Sequence, residues 1–259
     1  MQIPWAVHRG DIMELKGKCA IVTGGTRGIG KAVALALARE GCDVAINFRK
    51  SDDEAKEVVS EIKKLGRKAL AVKADVSSFK DAQNMFEEVK KAFGHIEILV
   101  SNAGINKDGV IWKMTEEQFD TVITTNLKGC FNYNKLAATY FKDKRYGKIV
   151  NISSINGIRG KFGQTNYAAS KGGEIALTKS LAKEVGKFNI NVNCVCPGMV
   201  RTEMAASIPQ EFLDKACDET VLGRIAEADD IANVVVFLCS DKSRHITGGI
   251  IKVDGGQYI

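Results

Sequence analysis

The chain predicts an α/β domain built on one doubly wound, seven-stranded parallel sheet. Three observations predict it. Short apolar runs rich in β-branched residues alternate with longer helical patterns along the sequence. The first of these runs passes through a glycine-rich turn straight into a helix. With three prolines in 259 residues and no low-complexity tract, no linker interrupts the rhythm, so one domain is expected.

Taken in order, residues 18–23 (KCAIVT) form the first strand, and residues 31–40, rich in alanine and leucine, a helix closed by Gly41. Residues 43–48 give the second strand. Ser51, Asp52, Asp53 and Glu54 have the spacing of a capping box opening a helix that ends at Gly66. Residues 69–72 are a strand, 78–93 a helix stopped by Gly94, and 96–100 the fourth strand. A second capping box, Thr115 to Gln118, starts a long helix running toward Lys144. Residues 148–152 follow as a strand and 166–186 as a helix. The strands at 190–195 and 250–253 complete the sheet, with a helix over 229–239 between them. Right-handed crossovers then place a ligand crevice at the carboxyl ends of the strands.

Residues 1–12 (MQIPWAVHRGDI) hold Pro4, Arg9 and Asp11 and no apolar stretch of a secretory signal. They are expected to be an extension ahead of a domain spanning 13–259, with Met13 an alternative start. No apolar run approaches the ~18 residues that span a bilayer, so no membrane contact is expected. Seven cysteines lack any Cys-x-x-Cys pair, and His8, His95 and His245 lie far apart. This fits a reducing cytoplasm, no disulfide framework and no metal site. Cys194 and Cys196 alternate on one strand and are expected to pack without bridging. The net charge of +6 is spread over helix faces. It forms no basic stripe with interleaved aromatics, which argues against nucleic acid.

The turn after the first strand reads Thr23-Gly24-Gly25-Thr26-Arg27-Gly28-Ile29-Gly30. Glycines at 24, 28 and 30 allow a tight turn and let backbone amides approach a pyrophosphate at a helix start. Gly25 to Lys31 also meets most of a P-loop, but Ala32 stands where Ser or Thr must hold magnesium, so a triphosphatase is not expected. As the first βα turn of a doubly wound sheet, it is a dinucleotide site of Rossmann type.

A second constellation carries acid–base chemistry. Ser154 precedes Tyr167 by thirteen residues, and Lys171 follows Tyr167 by four. On a helix, Tyr167 and Lys171 share a face. The ammonium is expected to lower the phenol from its usual ~10, making it a usable proton donor and acceptor. The same Tyr-x-x-x-Lys pattern recurs at Tyr140 and Lys144, where Leu127 occupies the place corresponding to Ser154.

Together these motifs resemble the short-chain dehydrogenase/reductase family from about residue 14 onward. Residues 23–30 look like its cofactor turn, and Asn102-Ala103-Gly104 like its motif after the fourth strand. Asn126, Ser154, Tyr167 and Lys171 match its catalytic tetrad. The resemblance implies that Tyr167 protonates a carbonyl oxygen, Lys171 tunes Tyr167 and binds the nicotinamide ribose, Ser154 orients the carbonyl, and Asn126 holds a relay water. Pro197, Gly198, Val200 and Thr202 resemble the segment closing over nicotinamide, and Asp75-Val76 the adenine contact. Ser101 departs from the pattern, where many relatives carry a second Asn.

A NAD-binding chain usually ends its second strand with an acid for the ribose 2′-hydroxyl. Here Phe48 is followed by Arg49 and Lys50, with Arg27 in the turn, so NADP(H) is the expected cofactor. Within the family, NAGINKD at 102–108, GQTNYAASK at 163–171, NVNCVCPG at 191–198 and VDGG at 253–256 resemble the reductases of 3-oxoacyl thioesters in fatty-acid synthesis. Acyl-carrier-protein and CoA linkage both remain open. Lys144 and Arg145 resemble a carrier-binding basic position, whereas Phe188, beside Lys187, replaces a second one. A homotetramer and a substrate lid over about 199–220 are expected by likeness. A sugar or secondary-alcohol dehydrogenase, and a catalytically silent cofactor-binding subunit, are the competing readings.

Overall fold

A computed structural model describes residues 14–202 and 210–259. The expected extension at 1–12 and residues 203–209 of the expected lid lie outside the described residues.

The first half alternates strictly: β1 (Cys19–Val22), α1 (Gly28–Arg39), β2 (Asp43–Phe48), α2 (Asp52–Lys64), β3 (Ala69–Lys73), α3 (Phe79–Phe93) and β4 (Ile98–Ser101). A long helical passage follows as α4 (Glu116–Val122), a π-helical turn over Ile123–Lys128, and α5 (Gly129–Lys144). Next come β5 (Gly147–Ile152), the short α6 (Asn156–Arg159), α7 (Thr165–Val185) and β6 (Ile190–Pro197). Beyond β6 lie β7 (Val200–Arg201), α8 (Gln210–Asp218), β8 (Ala226–Glu227), α9 (Ala228–Cys239) and β9 (Ile250–Val253).

Seven strands form one sheet in the order β3-β2-β1-β4-β5-β6-β9, and every pairing is parallel. The expected doubly wound sheet is therefore present. The strand order reverses between β1 and β4, where crossovers leave in opposite directions and open a crevice. β7 and β8 make a separate two-residue ladder.

β1 is buried along its whole length, as a central strand covered on both faces must be. Its period-two alternation divides two cores. Ala20 and Val22 join the cluster under α1, α2 and α9, whereas Cys19 and Ile21 join the one under α3, α5 and α7. α1 packs directly on α9, fixing the glycine turn against the rest of the sheet.

Several boundaries differ from expectation for local reasons. α1 begins at Gly28, so Gly28, Ile29 and Gly30 form its first turn and do not precede it. Ser51 makes no side-chain cap, and the first capping box does not form. The second does: Gln118 N donates to Thr115 Oγ1, and Thr115 N donates to Gln118 Oε1. The seven cysteines are all free, and the Cys194 and Cys196 sulfurs lie 3.9 Å apart without a bridge. Among the described residues no helix is long and apolar enough to cross a membrane, and no metal-binding cluster of His, Cys, Asp or Glu occurs.

Candidate active site

The glycine turn is locked from three sides. Asn102 Nδ2 donates to the carbonyls of Thr23 and Gly24, at 2.9 and 3.2 Å. The amides of Asn102 and Ala103 donate back to Thr23 Oγ1 at 2.8 and 3.0 Å. Asn47, buried near the end of β2, accepts from Gly24 N at 2.7 Å and donates to the carbonyl of Ala74. Gly24 has φ +62°, a conformation that favours glycine. A Cβ on Gly30 would stand 2.1 Å from the Gly24 carbonyl oxygen, so this close approach excludes any side chain.

No side chain caps the start of α1 at Arg27, and no acid occupies its first turn. The positive end of its dipole and its free amides therefore face the crevice unneutralised. Thr26 is buried beside it, and Arg27 is exposed. With the closely packed glycines, this donor set fits a dinucleotide pyrophosphate. At the end of β2, Arg49 lies 3.5 Å from Asp75, both at the crevice rim. Burial works to raise Asp75, but hydrogen bonds from Ser77 and the Arg49 guanidinium outweigh it and hold the carboxyl below its usual range. Val76 is buried, and its carbonyl accepts from Asn132.

The π-helical turn places Asn126 fully inside the protein. Its Oδ1 accepts from Ile105 N, and its Nδ2 donates to the carbonyl of Ile105 and to Ser170 Oγ, at 2.9 and 3.0 Å. A Cβ on Gly104 would stand 3.4 Å from Asn126 Oδ1 and 3.5 Å from Lys171 Nζ, which measures how closely these three residues converge.

Ser154 follows β5, and Tyr167 and Lys171 lie one turn apart on α7. The Lys171 ammonium stands 5.9 Å from the Tyr167 ring centroid. It donates to the Ile152 carbonyl at 2.8 Å and to both oxygens of Glu174, at 2.9 and 3.0 Å. Burial acts first on Tyr167 and raises it above its usual value, against the pull of Lys171 and a hydrogen bond with Ser154. The expected lowering by Lys171 is thus present but outweighed, because desolvation of a phenolate is the larger effect here. Tyr167 is accordingly protonated at neutral pH.

Pro197 and Gly198 sit where β6 leaves the sheet: Ile155 N donates to the Pro197 carbonyl, and Gly198 N to that of Val253. Val200 pairs with Ala226 in the small ladder, and Thr202 is the last described residue before 203. Pro197 ends β6, and the other three lie past its carboxyl end. Of the expected lid, α8 is a helix, and residues 203–209 lie outside the described residues.

The basic position expected near the cleft sits elsewhere. Arg145 caps α5 immediately before β5, one strand length (roughly 20 Å) from Ser154 at the other end. It donates to the Lys187 carbonyl there, beside Phe188. Lys144 and Arg145 therefore sit at the amino ends of the strands, opposite the end that carries Ser154. Two groups escaped the sequence reading: Glu174 and Asn47. For Glu174 a signal existed, since it lies on the face of Tyr167 and Lys171. Asn47 looked like any polar residue at a strand end.

A family model described as Enoyl-(Acyl carrier protein) reductase matches residues 24–257. The 3-oxoacyl-[acyl-carrier-protein] reductase FabG of Staphylococcus epidermidis is 43% identical over 242 residues, covering 93% of this chain and 99% of that protein. The chain belongs to the short-chain dehydrogenase/reductase family. The acetoacetyl-CoA reductase of Shinella zoogloeoides is likewise 43% identical, over 93% of this chain and 98% of its own. A solved structure of a putative short-chain alcohol dehydrogenase from Sinorhizobium meliloti superimposes with a TM-score of 0.91 at 35% identity, covering 95% of this chain and 98% of that one. As a member of this family, the protein is an oxidoreductase interconverting CH–OH and C=O with a nicotinamide cofactor.

Proposed function

We propose that the protein reduces 3-oxoacyl thioesters to 3-hydroxyacyl thioesters with NADPH, in fatty-acid synthesis. The observation that carries the reading is the convergence of Ser154, Tyr167 and Lys171 at the crevice beside the glycine turn. Bound nicotinamide would supply the hydride. Asn102, Ala103, Gly104 and the turn at Gly24, Thr26, Arg27, Gly28, Ile29 and Gly30 would hold the cofactor, with Asp75 and Val76 at the adenine end. Pro197, Gly198, Val200 and Thr202 would cover the nicotinamide side. Arg49 supports a 2′-phosphate, because a guanidinium at that rim meets a phosphate bidentately.

Ser154 would hold the substrate carbonyl through its hydroxyl while Tyr167 delivers a proton to that oxygen. Held protonated by its buried setting, Tyr167 suits the reductive direction. Lys171 would steady the phenolate left behind, and Asn126 would order the water that returns its proton. The intact acid–base set speaks against a silent subunit, and the similarity to thioester reductases speaks against a sugar or simple alcohol dehydrogenase. Both carrier-protein and CoA esters fit, and assembly as a homotetramer, with cytoplasmic location, is part of the same reading. The test follows the cofactor's absorbance, with acetoacetyl-CoA and a 3-oxoacyl carrier protein against NADPH and NADH, and with secondary alcohols against NADP+ and NAD+. Rapid alcohol oxidation without turnover of any 3-oxoacyl thioester would overturn it.

A further inference from the structure

Glu174 has no task in the chemistry described so far, yet it is among the most deeply placed charges in the protein. It lies three residues past Lys171 and seven past Tyr167, so the three side chains line one face of α7. The side chains of Lys171 and Glu174 are 5% and 3% exposed. With Ile152 and the two Glu174 oxygens as acceptors, all three donors of the ammonium are engaged.

The other titratable groups facing this pair are few. Tyr167 shares the helix, Cys130 comes from α5, Cys194 and Cys196 from β6, and Asp108 approaches Tyr167 from the stretch after β4. Burial pushes the Cys130 thiol up, and its contact with Cys196 together with burial pushes Cys194 up. Neither supplies a charge to balance Lys171, and Cys196, lowered by its contact with Cys194, is not among the acceptors of the ammonium.

An unpaired ammonium in so dry a site tends to shed its proton, because burial disfavours the charged form. For Lys171 burial is indeed the largest influence and acts downward. The Glu174 carboxylate, ionised above a pH of about 7, reverses it, and the ammonium is held above the usual lysine range. A neutral Lys171 would no longer steady a Tyr167 phenolate.

We propose that Glu174 is a positioning residue that keeps Lys171 protonated in its buried site, so that Tyr167, and not Lys171, is the group that gives up a proton. The inference deepens the proposed function and rests on Tyr167 being its acid.

The decisive measurement needs no substrate. The near-ultraviolet phenolate signal of Tyr167 is isolated as the difference between the full-length protein and Tyr167→Phe across pH. The same difference is taken in a Glu174→Gln background. Glu174 itself pushes Tyr167 up, but by less than Lys171 pulls it down. Loss of the Lys171 charge therefore outweighs loss of Glu174, and the Tyr167 step is expected to move up in Glu174→Gln, by about one unit. Glu174→Asp, which keeps the charge, is expected to retain the original step. If Glu174→Gln does not fold, Glu174→Leu replaces it as the neutral variant. In turnover of acetoacetyl-CoA with NADPH, the alkaline fall of kcat should begin at lower pH in the neutral variant, because Lys171 loses its proton early. A purely structural role would lower the melting temperature and leave both pH positions unchanged. A Tyr167 step that stays put or moves down in the neutral variant overturns the proposal. Absence of thioester turnover in the unmodified protein would instead overturn the proposed substrate, and the phenolate titration would still decide the role of Glu174.

Discussion

Thr23 and Asn102 are joined twice: Asn102 N donates to Thr23 Oγ1 at 2.8 Å, and Asn102 Nδ2 donates to the Thr23 carbonyl at 2.9 Å. The same hydroxyl also accepts from Ala103 N. The two strands flanking the crevice are thereby tied together where the cofactor turn begins. Thr23→Val keeps the side-chain volume but leaves two amides without their acceptor. Each is expected to cost about 1–3 kcal/mol, read as a lower urea midpoint with unchanged slope. Cofactor affinity, measured by fluorescence titration of NADPH, should weaken as well.

Tyr140 and Tyr167 form a natural control pair. Lys144 stands 5.8 Å from the Tyr140 ring centroid, and Lys171 stands 5.9 Å from that of Tyr167. Tyr167→Phe should reduce kcat by roughly 10²–10⁴-fold while NADPH still binds. Tyr140→Phe, in the pair whose lysine is exposed, should stay within about twofold of the parent. Steady-state kinetics and a binding titration on both variants check this; retained activity in Tyr167→Phe would mean another residue is the acid.

Arg49 is expected to choose the cofactor. Arg49→Ala removes a charged contact worth about 1.5–3 kcal/mol, so KM for NADPH should rise by roughly tenfold or more. KM for NADH, which has no 2′-phosphate, should stay within about threefold under the same conditions. Equal effects on both cofactors would place the 2′-phosphate elsewhere.

Glu174 should also mark the pH dependence of stability. Burial raises its carboxyl from 4.5 to about 7 in the folded protein, against the attraction of Lys171. A folded-state value above the unfolded one means the native state binds the proton more tightly. This contribution is therefore fully present below pH 4.5 and is lost as pH rises toward 7. Compared with Glu174→Gln, the parent should lose stability over that interval in urea unfolding followed by circular dichroism. Parallel curves for the two proteins across the interval would contradict the shift.

Much of this architecture was legible in the chain. The apolar run of β1 and the cap at Thr115 depend on residues close in sequence, and local patterns report them. The motifs at 23–30, 102–104, 154, 167 and 171 were legible as well, because each needs a residue type that few other roles demand. Ser51 shows the limit: capping spacing alone did not bring its hydroxyl onto an amide, since the backbone there takes φ −99° and ψ 64°.

By itself, then, the sequence determined the doubly wound sheet and the order of the glycine-rich turn and of the trio proposed here for acid–base chemistry. Only the tertiary structure decided how those groups are charged. Tyr140 with Lys144 and Tyr167 with Lys171 have the same spacing and nearly the same separation, and both rings are half-buried, but Lys171 is buried where Lys144 is exposed. Enclosure strips water from phenol, ammonium and carboxylate alike, so desolvation raises Tyr167 and makes Glu174 the partner that Lys171 requires. The fold also sets Arg145 and Ser154 at opposite ends of β5, nine residues apart in the chain but a strand's length apart in space. Burial and distance are sums over many remote residues, and no local pattern records them.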